Sequence, residues 1–199
     1  MSEQAITPED ARDPDYSLSP DLEVSENDPS QSPVSISDNS FLTLPVEQGN
    51  LTSVFFVNNS FLSDSGNDLI IGNDHINFIG GGGGNDIIDG RGGIDLLSGG
   101  TGADTFVYTS RLDGGDRIID FNPNEGDKIN LSLVDSDMHT DTLETLGFAG
   151  KQPEGHSVWY FQGQTTTYVF ADTDGNLEAQ EFVLTLDGSI PLHASDFHL

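Results

Sequence analysis

Asp86, Asp95 and Asp104 stand nine residues apart in the stretch GGGGNDIIDGRGGIDLLSGGTGADTFV, residues 81–107. Extending the period backward reaches Asn77 and then Asp68. Each aspartate follows a glycine two residues before it, and all five positions precede an apolar residue two after them. Glycine can turn the chain at positive φ and leave its carbonyl free. A carboxylate placed beside such carbonyls makes an all-oxygen pocket, which suits a hard divalent cation. Six or so oxygens in a flexible cage fit Ca2+ better than Mg2+, which demands a strict octahedron and keeps its waters. Zinc would want His or Cys, and neither recurs at this spacing.

The period divides residues 63–107 into five units: SDSGNDLII, GNDHINFIG, GGGGNDIID, GRGGIDLLS and GGTGADTFV. The expected ligands are side-chain oxygens of Asp68, Asn77, Asp86, Asp95 and Asp104. Backbone oxygens would come from the turn residues Gly66, Gly72, Gly81, Gly82, Gly84, Gly90, Arg91, Gly93, Gly99, Gly100 and Gly102. The units are unequal. GGGGNDIID and GGTGADTFV fit throughout. GRGGIDLLS has Arg91 in a glycine place, where positive φ costs a non-glycine residue about 1–2 kcal/mol. GNDHINFIG offers Asn77 for aspartate and His75 for glycine, so its site is expected to be weak. His75 reads as a turn residue rather than a zinc ligand. Asn59, nine before Asp68, marks a degenerate earlier unit.

The elements that would position these groups follow from the same pattern. The last three residues of each unit form a short strand, and its middle residue points inward. Those residues are Ile70, Ile79, Ile88, Leu97 and Phe106, all apolar, as side-chain alternation along a strand requires. One unit gives one turn and one strand, and two units give a full coil. Asp68, Asp86 and Asp104 then stack on one side, with Asn77 and Asp95 on the other. A flexible glycine-rich linker would need neither a periodic aspartate nor an inward hydrophobe.

Around the repeats the composition changes. Residues 1–40 are rich in Asp, Glu, Ser and Pro without apolar periodicity, which reads as a disordered acidic leader. Residues 41–62 carry apolar clusters that read as lead-in strands. Residues 108–199 contain alternating segments such as DRIIDF, SVWYFQ, TTTYVFA and QEFVLTL, which read as strands separated by turns. The expected fold is all-β: a right-handed parallel β-roll of nonapeptide repeats over 63–107, continuing into a small β-sandwich-like C-terminal part. Asp172-Thr-Asp174-Gly-Asn-Leu-Glu178 opens like an EF-hand loop, but Val183 stands at the twelfth place, so it reads as a β-turn.

Thirty-four acidic residues against 6 basic give a net charge of -28, which excludes a nucleic-acid partner. Such self-repulsion opposes compaction unless cations compensate. There are no cysteines, so disulfides, thiolate metal sites and cysteine catalysis are excluded. No apolar run reaches membrane-spanning length, and the N-terminus lacks the pattern of a secretory signal. No HExxH occurs, and His75, His139, His156, His193 and His198 share no ligand spacing. The chain is therefore expected not to be an enzyme.

The nonapeptide resembles the calcium-binding repeat of RTX proteins. Residues 63–199, through GADTFVYTSRLDGGDRIIDFNPNEGDKINLS, resemble the segment that closes the β-roll in serralysin-type secreted metalloproteases and in modules of mannuronan epimerases. The resemblance implies that Asp113, Asp116 and Asp127 help hold the last calcium ions. It also implies that the terminus Ser195-Asp196-Phe197-His198-Leu199 acts as an uncleaved signal for the type I secretion apparatus, with His198 departing from the usual hydrophobe. The reading is a secreted, extracellular calcium-binding RTX protein with a structural or binding role. The alternatives are a calcium-dependent adhesin or matrix module for a polysaccharide or protein, and an accessory module of a secreted hydrolase or epimerase. Leu69, Ile71, Phe78, Ile87 and Leu96, with Trp159, Tyr160 and Phe161, could furnish such a surface, though packing within the fold is the expected use.

Overall fold

A computed structural model of the 199-residue chain describes residues 51, 53–135, 143–177 and 181–199. The acidic leader and most of the lead-in segment lie outside the described residues. Among the described residues there are fourteen short strands: β1 (Ser53–Phe56), β2 (Ser60–Leu62), β3 (Asp68–Ile71), β4 (Phe78–Gly80), β5 (Ile87–Asp89), β6 (Leu96–Ser98), β7 (Thr105–Val107), β8 (Arg117–Ile118), β9 (Lys128–Asn130), β10 (Gly147–Gly150), β11 (Ser157–Gln162), β12 (Thr166–Ala171), β13 (Phe182–Asp187) and β14 (Phe197–His198).

Successive repeat strands fall alternately into two sheets. One is ordered β1-β3-β5-β7-β9-β14, the other β10-β11-β12-β13-β8-β6-β4-β2. Repeat strands pair in parallel with the strand two units away: Ile70 faces Ile88, Ile88 faces Phe106, and Ile79 faces Leu97. That is the geometry of a β-roll. A nine-residue unit is too short for a helical crossover, so each strand must find its partner one full coil later. The degenerate unit around Asn59 is in register, since Ser60 pairs with Phe78 and the Asn59 carbonyl accepts from Phe78 N–H.

The five inward residues of the repeats are no more than 3% exposed. They run without interruption into Ile118, Ile129, Leu131, Val158, Val169, Leu184 and Leu186, so a single core spans the repeats and the C-terminal strands. The C-terminal part extends the roll's own sheets. β11, β12 and β13 are antiparallel to one another, and β13 then joins the roll by pairing in parallel with β8. β14 does the same for the other sheet by pairing with β9. Of the side chains considered for a ligand surface, Ile71, Ile87, Trp159 and Tyr160 are buried, whereas Phe78 and Phe161 are exposed. No helix among the described residues is long and apolar enough to cross a membrane.

Candidate metal centre

The turns between strands place the periodic aspartates in two columns, one at each edge of the roll. Each carboxylate spends one oxygen on the coil beside it. In the first column Asp68 N–H donates to Asp86 Oδ1 at 2.9 Å, Asp86 N–H to Asp104 Oδ1 at 2.8 Å, and Asp104 N–H to Asp127 Oδ1 at 3.0 Å. In the second, Asn77 N–H donates to Asp95 Oδ1 and Asp95 N–H to Asp116 Oδ1, both at 2.7 Å. The shared bond leaves Oδ2 as the second oxygen of Asp86, Asp95, Asp104 and Asp116.

Those other oxygens have no protein partner. Oδ2 of Asp86, Asp95, Asp104 and Asp116 is buried without a hydrogen bond, and so is Oδ1 of Asp68. Asp68 is inverted because Ser63 Oγ donates to its Oδ2 at 2.5 Å. Unpartnered buried carboxylate oxygens are expensive, and a repeated set of them in line calls for a shared cation.

The glycines explain how backbone oxygens join the set. A Cβ at Gly81 would collide with Asp86 Oδ2 and come within 2.7 Å of the Gly99 carbonyl oxygen. At Gly90 it would meet Asp95 Oδ2 at 2.5 Å and Asp116 Oδ2 at 3.4 Å. At Gly99 it would strike Asp104 Oδ2. Gly81, Gly90 and Gly99 are thus the floor beneath the free carboxylate oxygens, and at Gly81 a carbonyl oxygen of the next coil converges on the same place. In the Asn77 unit the equivalent place at Gly72 is crowded by Asn77 Oδ1 and by the Gly90 carbonyl oxygen at 2.6 Å. Asn77 Oδ1 is a neutral amide oxygen, a weaker donor to a cation than a carboxylate. Gly66, Gly82, Gly84, Gly93, Gly100 and Gly102 all hold positive φ. Arg91 does so too, at 62°, one of two non-glycine residues with positive φ among the described residues.

The aspartates C-terminal to the repeats divide differently from the nine-residue count. Asp116, not Asp113, follows Asp95 in its column. The 3-10 turn Arg111–Asp113 inserts residues and breaks the phase. Asp113 Oδ2 instead accepts from the amides of Thr109 and Ser110 and from Thr109 Oγ1. It still lies near enough to Asp89, Asp95 and Asp116 to raise the pKa of each. Asp127 ends the first column with both oxygens engaged, since its Oδ2 accepts from Asn122 N–H at 2.8 Å.

One acidic residue at this edge escapes the sequence pattern. Asp89 is wholly buried, its Oδ1 accepts from Arg91 N–H at 2.9 Å, and its Oδ2 has no partner. The available signal was its place. The ninth residue of the other units is Ile71, Gly80, Ser98 or Val107, none of them acidic.

Burial pushes these carboxyls upward against the amide hydrogen bonds that oppose the shift. Asp86, Asp89 and Asp95 rise to about 6, Asp104 to about 7 and Asp116 to about 8. Neighbouring carboxylates add to the rise. The fully buried Tyr108 is pushed well above its usual value, first by burial and then by Asp116, Asp95 and Asp89. Every perturbed group in the columns therefore reports an excess of negative charge held in low dielectric.

Residues 37–199 match the family model described as peptidase M10 serralysin C terminal. Among solved structures, the chain is 30% identical to the AlgE6R3 subunit of the Azotobacter vinelandii mannuronan C5-epimerase, over 68% of this chain and 78% of that one, with a TM-score of 0.35. It is 26% identical to the AlgE6R2 subunit of the same epimerase, over 75% of this chain and 91% of that one, with a TM-score of 0.44. Among proteins with curated descriptions, none matches the chain.

Proposed function

From the premise that the chain belongs to the peptidase M10 serralysin C-terminal family, we propose that it is a calcium-binding module whose roll folds when cations fill the two columns. The observation that carries the reading is the line of buried, unpartnered carboxylate oxygens on Asp68, Asp86 and Asp104, matched by those on Asp95 and Asp116 across the roll. Their donor set is all oxygen, and glycine floors bring carbonyl oxygens beside them, which fits a hard cation of flexible coordination.

Bound calcium would supply the positive charge that the columns lack. The chain's own residues do the rest. Asp86, Asp95, Asp104 and Asp116 hold one oxygen on the neighbouring coil and offer the other to the cation. Gly81, Gly90 and Gly99 keep the space open, and Asp89 adds a further carboxylate to the second column. Asp127 acts as the anchor of the first column and Asp113 as a nearby charge held by its own turn. Asn77 gives the weakest site.

Binding to the folded roll but not to the open chain stabilises the fold by RT ln(1 + [Ca]/Kd) for each independent site. Extracellular calcium modules have Kd of about 10⁻⁴–10⁻³ M, far above cytosolic calcium. The chain would thus stay unfolded inside the cell, leave by a type I route read from Ser195–Leu199, and fold outside. Its role is structural or binding rather than catalytic. The exposed rings of Phe78 and Phe161 favour a polysaccharide-binding role over a silent spacer, since sugar rings stack on aromatic faces. A glycan array read with and without calcium decides that point.

The principal test is circular dichroism of the full chain at neutral pH. We expect β structure to appear on adding calcium and to vanish in excess EGTA. A native-like spectrum in EGTA overturns the reading.

A further inference from the structure

The hairpin joining β12 to β13 carries acidic residues that belong to neither column. Its chain runs Asp172-Thr-Asp-Gly-Asn-Leu-Glu-Ala-Gln-Glu181, and residues 172–177 and 181 are among those described. Carboxylate oxygens of Asp172, Asp174 and Glu181 all lie within 4.8 Å of one another. Acidic groups on a hairpin tip ordinarily splay into water. Here Asp172 is wholly buried.

The oxygens of Asp172 have different surroundings. Oδ1 accepts from His156 N–H at 3.0 Å and Gly175 N–H at 2.7 Å. Oδ2 is buried and has no hydrogen-bond partner. Thr173 Oγ1, the next polar side-chain atom along the chain, is likewise buried and unpartnered. Glu181 turns inward to meet this loop, its Oε2 accepting from Thr173 N–H at 3.1 Å. Asp174 Oδ1 accepts from Asn176 N–H at 2.8 Å. The cluster is therefore built around a buried oxygen that nothing in the protein satisfies.

We propose that Asp172, Asp174 and Glu181 form a calcium site separate from the roll, closing the β12–β13 hairpin. The donors are three carboxylates, which selects a hard cation, and a hairpin loop lacks the rigidity that octahedral Mg2+ demands. The last ligand sits at the tenth place of the loop, not the twelfth. An EF-hand loop ends on a helix, whereas here β13 returns antiparallel to β12, with Ala171 opposite Phe182. That pairing brings the residue just before Phe182 back beside Asp172. The site differs chemically from the columns. There, backbone carbonyls of a neighbouring coil complete each oxygen set, while here one loop supplies the carboxylates. Its cation would stiffen the hairpin whose β13 continues the roll, Thr185 facing Arg117 and Leu186 facing Ile118.

The test uses the full chain, calcium alone as the probe, and calorimetric ion counting. Asp174→Asn/Glu181→Gln changes two half-buried residues without changing their shape. We expect this variant to bind one calcium ion fewer than the wild type and to keep the column ions. Asp86→Asn should lose ions from the columns and retain the hairpin ion, so failure of the roll reading and failure of this one give different counts. An unchanged ion count in the double variant, with its β spectrum at saturating calcium intact, overturns the assignment.

Discussion

At the residue scale, each column aspartate performs two separable tasks with its two oxygens. Oδ1 of Asp104 accepts the amide of Asp86 and so sets the register of the coils, while Oδ2 is free. Asp104→Asn keeps the first task and abolishes the second. The expected result is an unchanged β spectrum at saturating calcium, with the calcium concentration at the folding midpoint raised about tenfold or more, because ligand charge tunes such sites. A calcium titration followed by circular dichroism reads it, and an unshifted midpoint would remove Asp104 from the ligand set. The aspartates of the regular units were legible in sequence because a strict period ties each one to its glycines. Asp89 was not, since the ninth place tolerates many side chains and only burial shows that this one faces the column. The Asp172 loop departs from the EF-hand pattern for a related reason. The EF-hand template expects its closing carboxylate at a spacing set by a helix, and here a returning strand sets the spacing.

At the scale of elements, turn and strand depend on each other. A Cβ at Gly102, whose φ is 126°, would collide with the carbonyl oxygen of Gly84 one coil away. Gly150 also has positive φ, at 70°, but a Cβ there meets nothing within 4 Å. Gly150→Ala is therefore expected to cost about 1 kcal/mol of backbone strain. Gly102→Ala should cost roughly 3 kcal/mol or more, because strain and the forced separation of two coils add. Urea melts of both variants in saturating calcium check the ranking, and equal costs would mean that the turns do not stack as closely as described. The alternating sheets and inward hydrophobes of residues 63–107 were readable from the period alone. The continuation was less so. The 3-10 turn at Arg111–Asp113 shifts the count, and Asp116 takes the place that a nine-residue step assigns to Asp113. The pairings of β13 with β8 and β14 with β9 span long stretches of sequence, and no local pattern encodes such distant partners.

At the scale of the molecule, the raised carboxyls make calcium-free stability depend on pH in an unusual direction. Asp86, Asp89 and Asp95 at about 6, Asp104 at about 7 and Asp116 at about 8 all stand above the ordinary carboxyl value of 3.8. Between those values the folded chain binds more protons than the unfolded one, so stability falls as pH rises. The contribution is fully present below about pH 4 and is lost as pH climbs through 6 to 8. Without calcium, circular dichroism should show more residual β structure at pH 5 than at pH 8. Calcium competes with protons for the same oxygens, so its folding midpoint should rise as the solution is acidified. Calcium-free β structure that increases toward pH 8 would contradict the burial of these charges. The sheet order has one more consequence. Each coil touches only its neighbours, so the roll behaves as a one-dimensional stack. Its far end is sealed by the six-residue antiparallel strands β11, β12 and β13, which cannot continue a nine-residue step. Among the described residues, β1 and β2 are edge strands at the first coil, as β14 and β10 are at the other end, but only the latter end leans on the long antiparallel strands. Loss of calcium is therefore expected to unzip the stack from its first coil inward, sparing longest the coils that lean on the C-terminal strands.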